Sequence, residues 1–209
     1  MQITVLGGTG RTGKHVVEQA LSTGHSIKVL ARSPEKLTIQ NPNLTVFKGA
    51  LHDEAAIAQA VAGSDAVISA LGPSSNKPVY EISQAMERVV AAMKKEGVKR
   101  IVITAGAGVR APGDEPGLMD KGIVALLKLL NGNVLKDMSK AVEDLQQSGL
   151  EWTVLRGPML TDDPATGIIR QGGVGKDVGT KITRADFAAA LLAAVNDPTL
   201  IGKMPAVSN

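Results

Sequence analysis

The 209-residue sequence contains no cysteine, which excludes thiol nucleophiles, disulfides and thiolate metal sites. Aromatic residues make up only 2% of the chain: Phe47, Tyr80, Trp152 and Phe187. A core must therefore be built from Val, Ile, Leu and Ala, as suits a parallel sheet covered by helices. No apolar run reaches about 18 residues, so no membrane span is expected. The 23 Lys and Arg residues are spread without a block and the net charge is only +3, so no nucleic-acid partner is expected. His15, His25 and His52 are scattered. Asp162 and Asp163 are adjacent carboxylates in a Gly/Pro-rich stretch, and no metal-ligand spacing occurs. No charged segment followed by an apolar one opens the chain, so a signal peptide is not expected and a cytoplasmic location is.

Strand-like runs alternate with helical patterns almost throughout. The strand-like runs are Gln2–Leu6, Ser26–Ala31, Leu44–Lys48, Ala66–Ala70, Arg100–Thr104 and Trp152–Leu155. Between them, Val16, Val17, Ala20 and Leu21 share one helical face, as do Ile57, Ala60 and Val61, and Ile82, Ala85, Met86, Val89, Val90 and Met93. Asp53 is placed to cap a helix start, and Gly24, Gly63 and Gly97 to end helices. This alternation predicts an α/β fold: a Rossmann-type, doubly wound parallel sheet. The length suits a single domain over residues 1–209, with a small C-terminal substrate-side region. The pattern is interrupted by a Gly/Pro-rich loop at Gly106–Pro116, followed by an apolar helical run at Leu118–Leu130 and a second helix at Val134–Gln147. The apolar run suits either the wall of an acceptor pocket or a packing or subunit contact. Residues 157–183, rich in Gly, Pro, Asp and Thr, read as a substrate-side flap, and Arg184–Val195 as a last helix.

The most telling segment is Gly7-Gly8-Thr9-Gly10-Arg11-Thr12-Gly13, between the first strand and a helical pattern at Lys14–Leu21. Strand, glycine turn and helix together form the context in which such glycines bind a dinucleotide. The glycines let the backbone approach a pyrophosphate, and the free N–H groups of the helix start face its charge. Gly8, Gly10 and Gly13 satisfy GxGxxG, and Gly7, Gly10 and Gly13 satisfy GxxGxxG. The second register starts directly after the strand. The second strand ends in Leu30-Ala31-Arg32-Ser33, where NAD-specific folds carry an acid for the ribose 2′-hydroxyl. Arg32, with Ser33, is suited instead to a 2′-phosphate, and Arg11 is a further candidate for the same phosphate. The reading is NADP(H) rather than NAD(H).

The GxxGxxG register with Thr9, Arg11 and Thr12 resembles the extended and atypical short-chain dehydrogenase/reductases. Further likenesses are Glu143–Arg156, leading into the sixth strand, and Ile182–Ala188, opening the last helix. Together these resemble the NAD(P)H-binding, NmrA-like group that includes flavin and biliverdin-IXβ reductases. Relatives commonly have Arg-Pro-Gly-x-Leu where this chain has Arg156-Gly157-Pro158-Met159-Leu160. The resemblance implies cofactor contacts at Ala50 and Leu51, where the usual acid beside the adenine is missing and His52 or Asp53 would have to replace it. It also implies contacts at Ala70, Leu71 and Gly72, at Thr104 and Ala105 near the nicotinamide, and at Pro158 and Met159.

Many members of the superfamily use a Tyr with a Lys four residues later. The corresponding stretch is Lys136-Asp137-Met138-Ser139-Lys140, with no tyrosine. Thr104 and Lys140 remain as catalytic candidates that assist by hydrogen bonding. A flavin or quinone takes hydride and draws its proton from water, so it needs no protein acid at that step. The expected activity is NADPH-dependent reduction of a flavin, quinone or similar small conjugated acceptor, by a monomer or homodimer. The alternatives are an NADP(H)-sensing regulator without turnover and, weakened by the missing tyrosine, an epimerase or dehydratase.

Overall fold

The structure is a computed structural model that describes every residue except Ser74, and every side chain except those of Met119, Asp120, Ile123 and Leu127. Six strands alternate with helices: β1 (Gln2–Leu6), α1 (Arg11–Ser22), β2 (Ser26–Ala31), β3 (Leu44–Lys48), α2 (Glu54–Val61), β4 (Ala66–Ser69), α3 (Glu81–Glu96), β5 (Arg100–Gly106), α4 (Leu118–Gln146) and β6 (Glu151–Gly157). They pair in parallel in the order β3-β2-β1-β4-β5-β6, the doubly wound arrangement that the alternation predicts.

Burial follows the two-residue period of the strands. Ile3, Val5, Ile68, Val102 and Leu155 join the core beneath α1 and α5 (Arg184–Val195). Leu6, Val67, Ile101, Ile103 and Val154 join the opposite core beneath α2, α3 and α4. Both faces of the sheet are covered, which is why its strands read as nearly continuous apolar runs. The polar exception in β1, Thr4, is fully buried; its hydroxyl contacts Ala60 O at 2.6 Å and Ser64 Oγ at 2.7 Å.

Short strands run through the C-terminal region. β7 (Met159–Thr161) pairs with β9 (Lys181–Thr183) in a small parallel sheet. β8 (Arg170–Gly172) pairs antiparallel with β10 (Ala206–Ser208), which pairs with β6 and extends the main sheet to eight strands. The two expected helices at 118–130 and 134–147 are both present; they meet in a bend at Asn131, whose backbone is non-helical (φ −136°, ψ 36°), and α4 denotes the pair. Among the described residues, no helix is long and apolar enough to cross a membrane.

Candidate active site

β1 stands between β2 and β4, with Leu6 level with Leu30 on one side and Ser69 on the other. The chain leaves these neighbours in opposite directions, which opens a crevice at the carboxyl ends of the strands. A cleft of about 440 Å³ occupies it. Gly7, Thr9 and Gly10 form its floor, and Ala70, Leu71 and Gly72 lie beyond β4. Arg32 and Ser33 form one wall, with Ala50 and Leu51 beyond β3.

The glycine turn is built by close backbone approach. Gly7 has a left-handed φ of +77°, and a Cβ there would lie 2.8 Å from the Ala70 carbonyl oxygen. The Gly10 N–H closes the turn onto Gly7 O at 2.9 Å. A Cβ on Gly13 would lie 2.1 Å from that same oxygen, so the third glycine lets α1 pack against the turn. Gly13 and Thr12 do not line the cleft themselves.

The start of α1 also differs from other helix starts in the chain. α2 is capped by the Asp53 carboxylate and α5 by the Thr183 hydroxyl. α3 receives the Asp137 carboxylate of α4, which accepts from Ile82 N at 3.0 Å and Ser83 N at 2.9 Å. α1 begins at Gly10 with no side-chain cap and no acid in its first turn. Its N–H groups are therefore left for an external anion, favoured there by the helix dipole. Glycines that a Cβ would obstruct, beside an uncapped helix start, form a cradle that fits a pyrophosphate.

The wall after β2 carries more positive charge than Arg32 alone. The 3-10 turn Pro34–Lys36 brings Lys36 into the lining. Pro34, which pre-sets a helical turn, was the available signal for that placement. Gln84 and Arg88 of α3 and His52 also line the cleft, while Asp53 is committed to its capping bond. The apolar pattern of α3 marked its core face but not the polar edge that meets the cleft. Glu81 is the sole carboxylate among the described lining residues.

Other expected site residues lie elsewhere. Arg11 lies outside the cleft lining and pairs at the surface with Asp162 at 3.3 Å, and the same carboxylate binds Arg184 at 2.7 Å. Lys140 also lies outside the cleft lining. Its ammonium bonds Asp144 at 2.9 Å and faces Glu87 at 3.9 Å on the outer surface of α3 and α4, away from the cleft lining. The bond to Asp144 raises its pKa and holds it protonated. Lys136 is exposed. Pro158 and Met159 are outside the lining, and Met159 is 63% exposed on β7. Thr104 is half-buried behind the lining and donates its hydroxyl to Leu71 O at 3.3 Å, beside buried Ala105.

The loop after β5 and the C-terminal region are fastened by buried acids that sequence reading missed. Asp114 accepts from Arg156 Nη1 at 2.6 Å and Nη2 at 2.8 Å, and from the N–H groups of Ala111 and Val174, each at 2.9 Å. Burial pushes its pKa up, but the Arg156 and backbone bonds outweigh it and hold the carboxyl below its ordinary value. Asp186 accepts from Thr166 N, Gly167 N and the hydroxyls of Thr166 and Thr183. Burial again opposes ionisation, yet these bonds lower its pKa to about 2. The region expected to be a flap is thus tied to the sheet.

The chain matches the NAD(P)H-binding family over residues 7–198. It is 30% identical over 154 residues to a (4-alkanoyl-5-oxo-2,5-dihydrofuran-3-yl)methyl phosphate reductase of Streptomyces griseus, covering 74% of this chain and 46% of the relative. It is 38% identical over 109 residues to an isoflavone reductase homolog of Zea mays, covering 47% of this chain and 33% of the relative. The chain thus spans less than half the length of these two curated relatives. Among solved structures, the oxidoreductase ylbE of Lactococcus lactis superposes with a TM-score of 0.83 at 24% identity, over 100% of this chain and 91% of that one. ChuY, an anaerobilin reductase of Escherichia coli O157:H7, superposes at 0.78 and 22% identity, over 100% and 97%. A short-chain dehydrogenase/reductase of Veillonella parvula in complex with NADP superposes at 0.83 and 20% identity, over 100% and 94%. These likenesses are likenesses of fold, and the family match spans nearly the whole chain: the protein belongs to the NAD(P)H-binding family.

Proposed function

We propose that the protein is an NADPH-dependent reductase that delivers hydride to a flavin, quinone or similar conjugated acceptor. The observation that carries this reading is the pairing of an uncapped α1 start with a wall bearing Arg32, Ser33 and Lys36. The cradle of Gly7, Thr9 and Gly10 would hold the pyrophosphate, and the two cations with the Ser33 hydroxyl would hold a 2′-phosphate. Leu51 would pack on the adenine, with Ala50 in place of an acid and His52 as the polar group in reach of that wall. Ala70, Leu71 and Gly72 would line the path towards the nicotinamide, near Thr104 and Ala105. NADPH, when bound, would supply the hydride, and the chain's residues would position it against the acceptor.

The choice of acceptor rests on what is missing at the nicotinamide end. No tyrosine accompanies Lys140, and Lys140 is held on the surface by Asp144 and Glu87. An acceptor that takes its proton from water suits such a site. The reductase names carried by the Streptomyces relative and by ChuY support the same reaction class. The test is NADPH oxidation against a panel of flavins, quinones and carbonyl compounds, beside a titration of NADPH and NADH binding. Turnover with a flavin or quinone and not with simple carbonyls is the expected result. Tight NADPH binding without turnover on any acceptor would instead establish the sensor reading, which the absent tyrosine also favours.

A further inference from the structure

We propose that Asn76 is a positioning residue that splices the bend in α4, so that cofactor in the cleft fixes the direction of helix segment 118–130. In an uninterrupted α-helix the Val134 N–H donates to the Leu130 carbonyl. Asn76 reaches both groups from the loop between β4 and α3. Its Nδ2 donates to Leu130 O at 2.8 Å, and its Oδ1 accepts from Val134 N in a longer bond of 3.4 Å. Its own carbonyl accepts from Asn133 Nδ2 at 3.0 Å. A carboxamide, with one donor edge and one acceptor edge, is the complement of an opened peptide pair. A side chain inserted into the i→i−4 ladder is a sufficient cause of the bend.

The two halves of α4 differ in what holds them. Beyond the bend, Met138, Ala141, Val142 and Leu145 are buried, and Asp137 caps α3. That half is a fixed platform. Before the bend, among the described side chains, Leu118, Leu129 and Leu130 are 89%, 81% and 58% exposed and none is buried. Its described anchors at the joint are the bonds to Asn76. A second cavity of about 440 Å³ spans the joint, lined by Val124 and Lys128 from one half, Leu135 and Ser139 from the other, and Val109 and Arg110 of the loop after β5. Its shape depends on the angle of the bend.

The loop that carries Asn76 touches the cofactor cleft at both ends. Leu71 and Gly72 line the cleft at its start, Glu81 and Ile82 just past its end. The Leu71 carbonyl also receives the Thr104 hydroxyl. Tyr80, between Asn76 and Glu81, has a left-handed φ of 52°, a strained backbone state for a residue with a bulky side chain. A ligand that restrains the two ends of this loop restrains Asn76, and Asn76 restrains the joint. NADP(H) binding thereby orders the segment 118–130 and sets the second cavity. This inference rests on the cofactor occupying the cleft, not on the identity of the acceptor.

The test is hydrogen–deuterium exchange of the amides of residues 118–130, with and without saturating NADP⁺, in the unaltered protein and in Asn76→Ala, beside an NADP⁺ titration of each. NADP⁺ is expected to slow exchange in this segment of the unaltered protein. Asn76→Ala is expected to bind NADP⁺ with little loss, yet to exchange there roughly tenfold faster than the NADP⁺-free unaltered protein, the effect of losing one to two net hydrogen bonds, and at a rate that bound NADP⁺ does not change. Asn76→Asp, which keeps the acceptor for Val134 and loses the donor to Leu130, is expected to fall between the two, and it carries the same comparison if the alanine variant does not fold. Equal slowing by NADP⁺ in the variants and the unaltered protein would overturn the proposal. So would exchange at 118–130 that ignores bound NADP⁺ in the unaltered protein. If the titration showed no NADP⁺ binding at all, the cofactor reading would fall with it, and that outcome is distinct from binding without a change in exchange.

Discussion

Replacing Gly13 with alanine separates the packing role of the glycine loop from its binding role. The added Cβ would lie 2.1 Å from Gly7 O, 2.7 Å from Gly7 C and 2.8 Å from Gly8 Cα. All three are backbone atoms of the turn, so no flexible side chain can move aside. Relief requires α1 to shift away from β1, although Val16, Val17 and Ala20 on that helix are fully buried. Overpacking of this kind costs about 1–3 kcal/mol and occasionally more, and the backbone clash places Gly13→Ala near the upper end, at about 3 kcal/mol. For a chain of this length that is a fall in Tm of about 6–12 °C, measurable by calorimetry. The same shift moves the Gly7–Gly10 turn, so NADPH affinity should fall at least about tenfold in a fluorescence titration. Gly10→Ala is the control. Its Cβ meets only Gly7 O, at 3.1 Å, and Gly10 lines the cleft, so it should lose affinity with a much smaller change in Tm. If Gly13→Ala kept both its Tm and its NADPH affinity, the assignment of the third glycine to close helix packing would be refuted.

Arg32→Ala should weaken NADPH binding by roughly 1.5–3 kcal/mol, about ten- to a hundredfold, while leaving NADH binding nearly unchanged; an equal loss for both dinucleotides would remove Arg32 from the 2′-phosphate. Asp114→Ala strands the guanidinium of Arg156, which is 1% exposed. Breaking a buried pair on one side costs roughly 3–5 kcal/mol, to be read from urea unfolding midpoints. Asp186 gives a pH signature. Its folded pKa of about 2 lies below the ordinary 3.8, so its contribution is complete above about pH 4 and disappears as pH falls through 2. That contribution amounts to roughly 2 kcal/mol, and the stability gap between the unaltered protein and Asp186→Asn should narrow over the same interval.

The parts of the fold legible in the sequence are those with a local cause. β1, β2 and β3 lie where the strand-like runs bounded by turn residues place them; β1 is buried along Ile3–Leu6 and nearly all apolar there, while edge strand β3 carries exposed polar residues at Thr45 and Lys48. α5 begins at Arg184 for a local reason as well, since the Thr183 hydroxyl caps it at Asp186 N. By contrast β7, β8, β9 and β10 are each three residues long, too short for any periodicity to show. They are held by contacts distant in sequence, such as Asn209 Nδ2 with Asp186 Oδ2 at 2.8 Å and Asp114 with Val174 N. Arg156 stood out as part of a family signature, yet nothing local says that a strand arginine is buried against a carboxylate 42 residues earlier. The partner of Arg11 is hidden for the same reason: nothing local says that the fold brings Asp162 to it.

The chemistry is legible to the extent that it depends on residue type, and the proposed mechanism turns on one proton. Thr104 is the remaining hydroxyl candidate at the end of β5, and a threonine hydroxyl has a single hydrogen to donate. That hydrogen is directed to the Leu71 carbonyl. In this arrangement the Thr104 oxygen can still accept a bond from an N–H of a bound ligand, but to act as an acid it would have to abandon a half-buried carbonyl, leaving that group unsatisfied at a cost of about 1–3 kcal/mol. With Lys140 bonded to Asp144 as well, neither candidate is poised to protonate an alkoxide as it forms. A carbonyl substrate reduced by hydride needs such a proton, whereas a flavin or quinone can draw it from water. Thr104→Val, which keeps the branched shape and removes the hydroxyl, should therefore leave kcat with a quinone acceptor within about threefold. A loss of about a hundredfold or more in steady-state NADPH oxidation would show that this hydroxyl does protonate the acceptor and that the water-protonated mechanism is wrong.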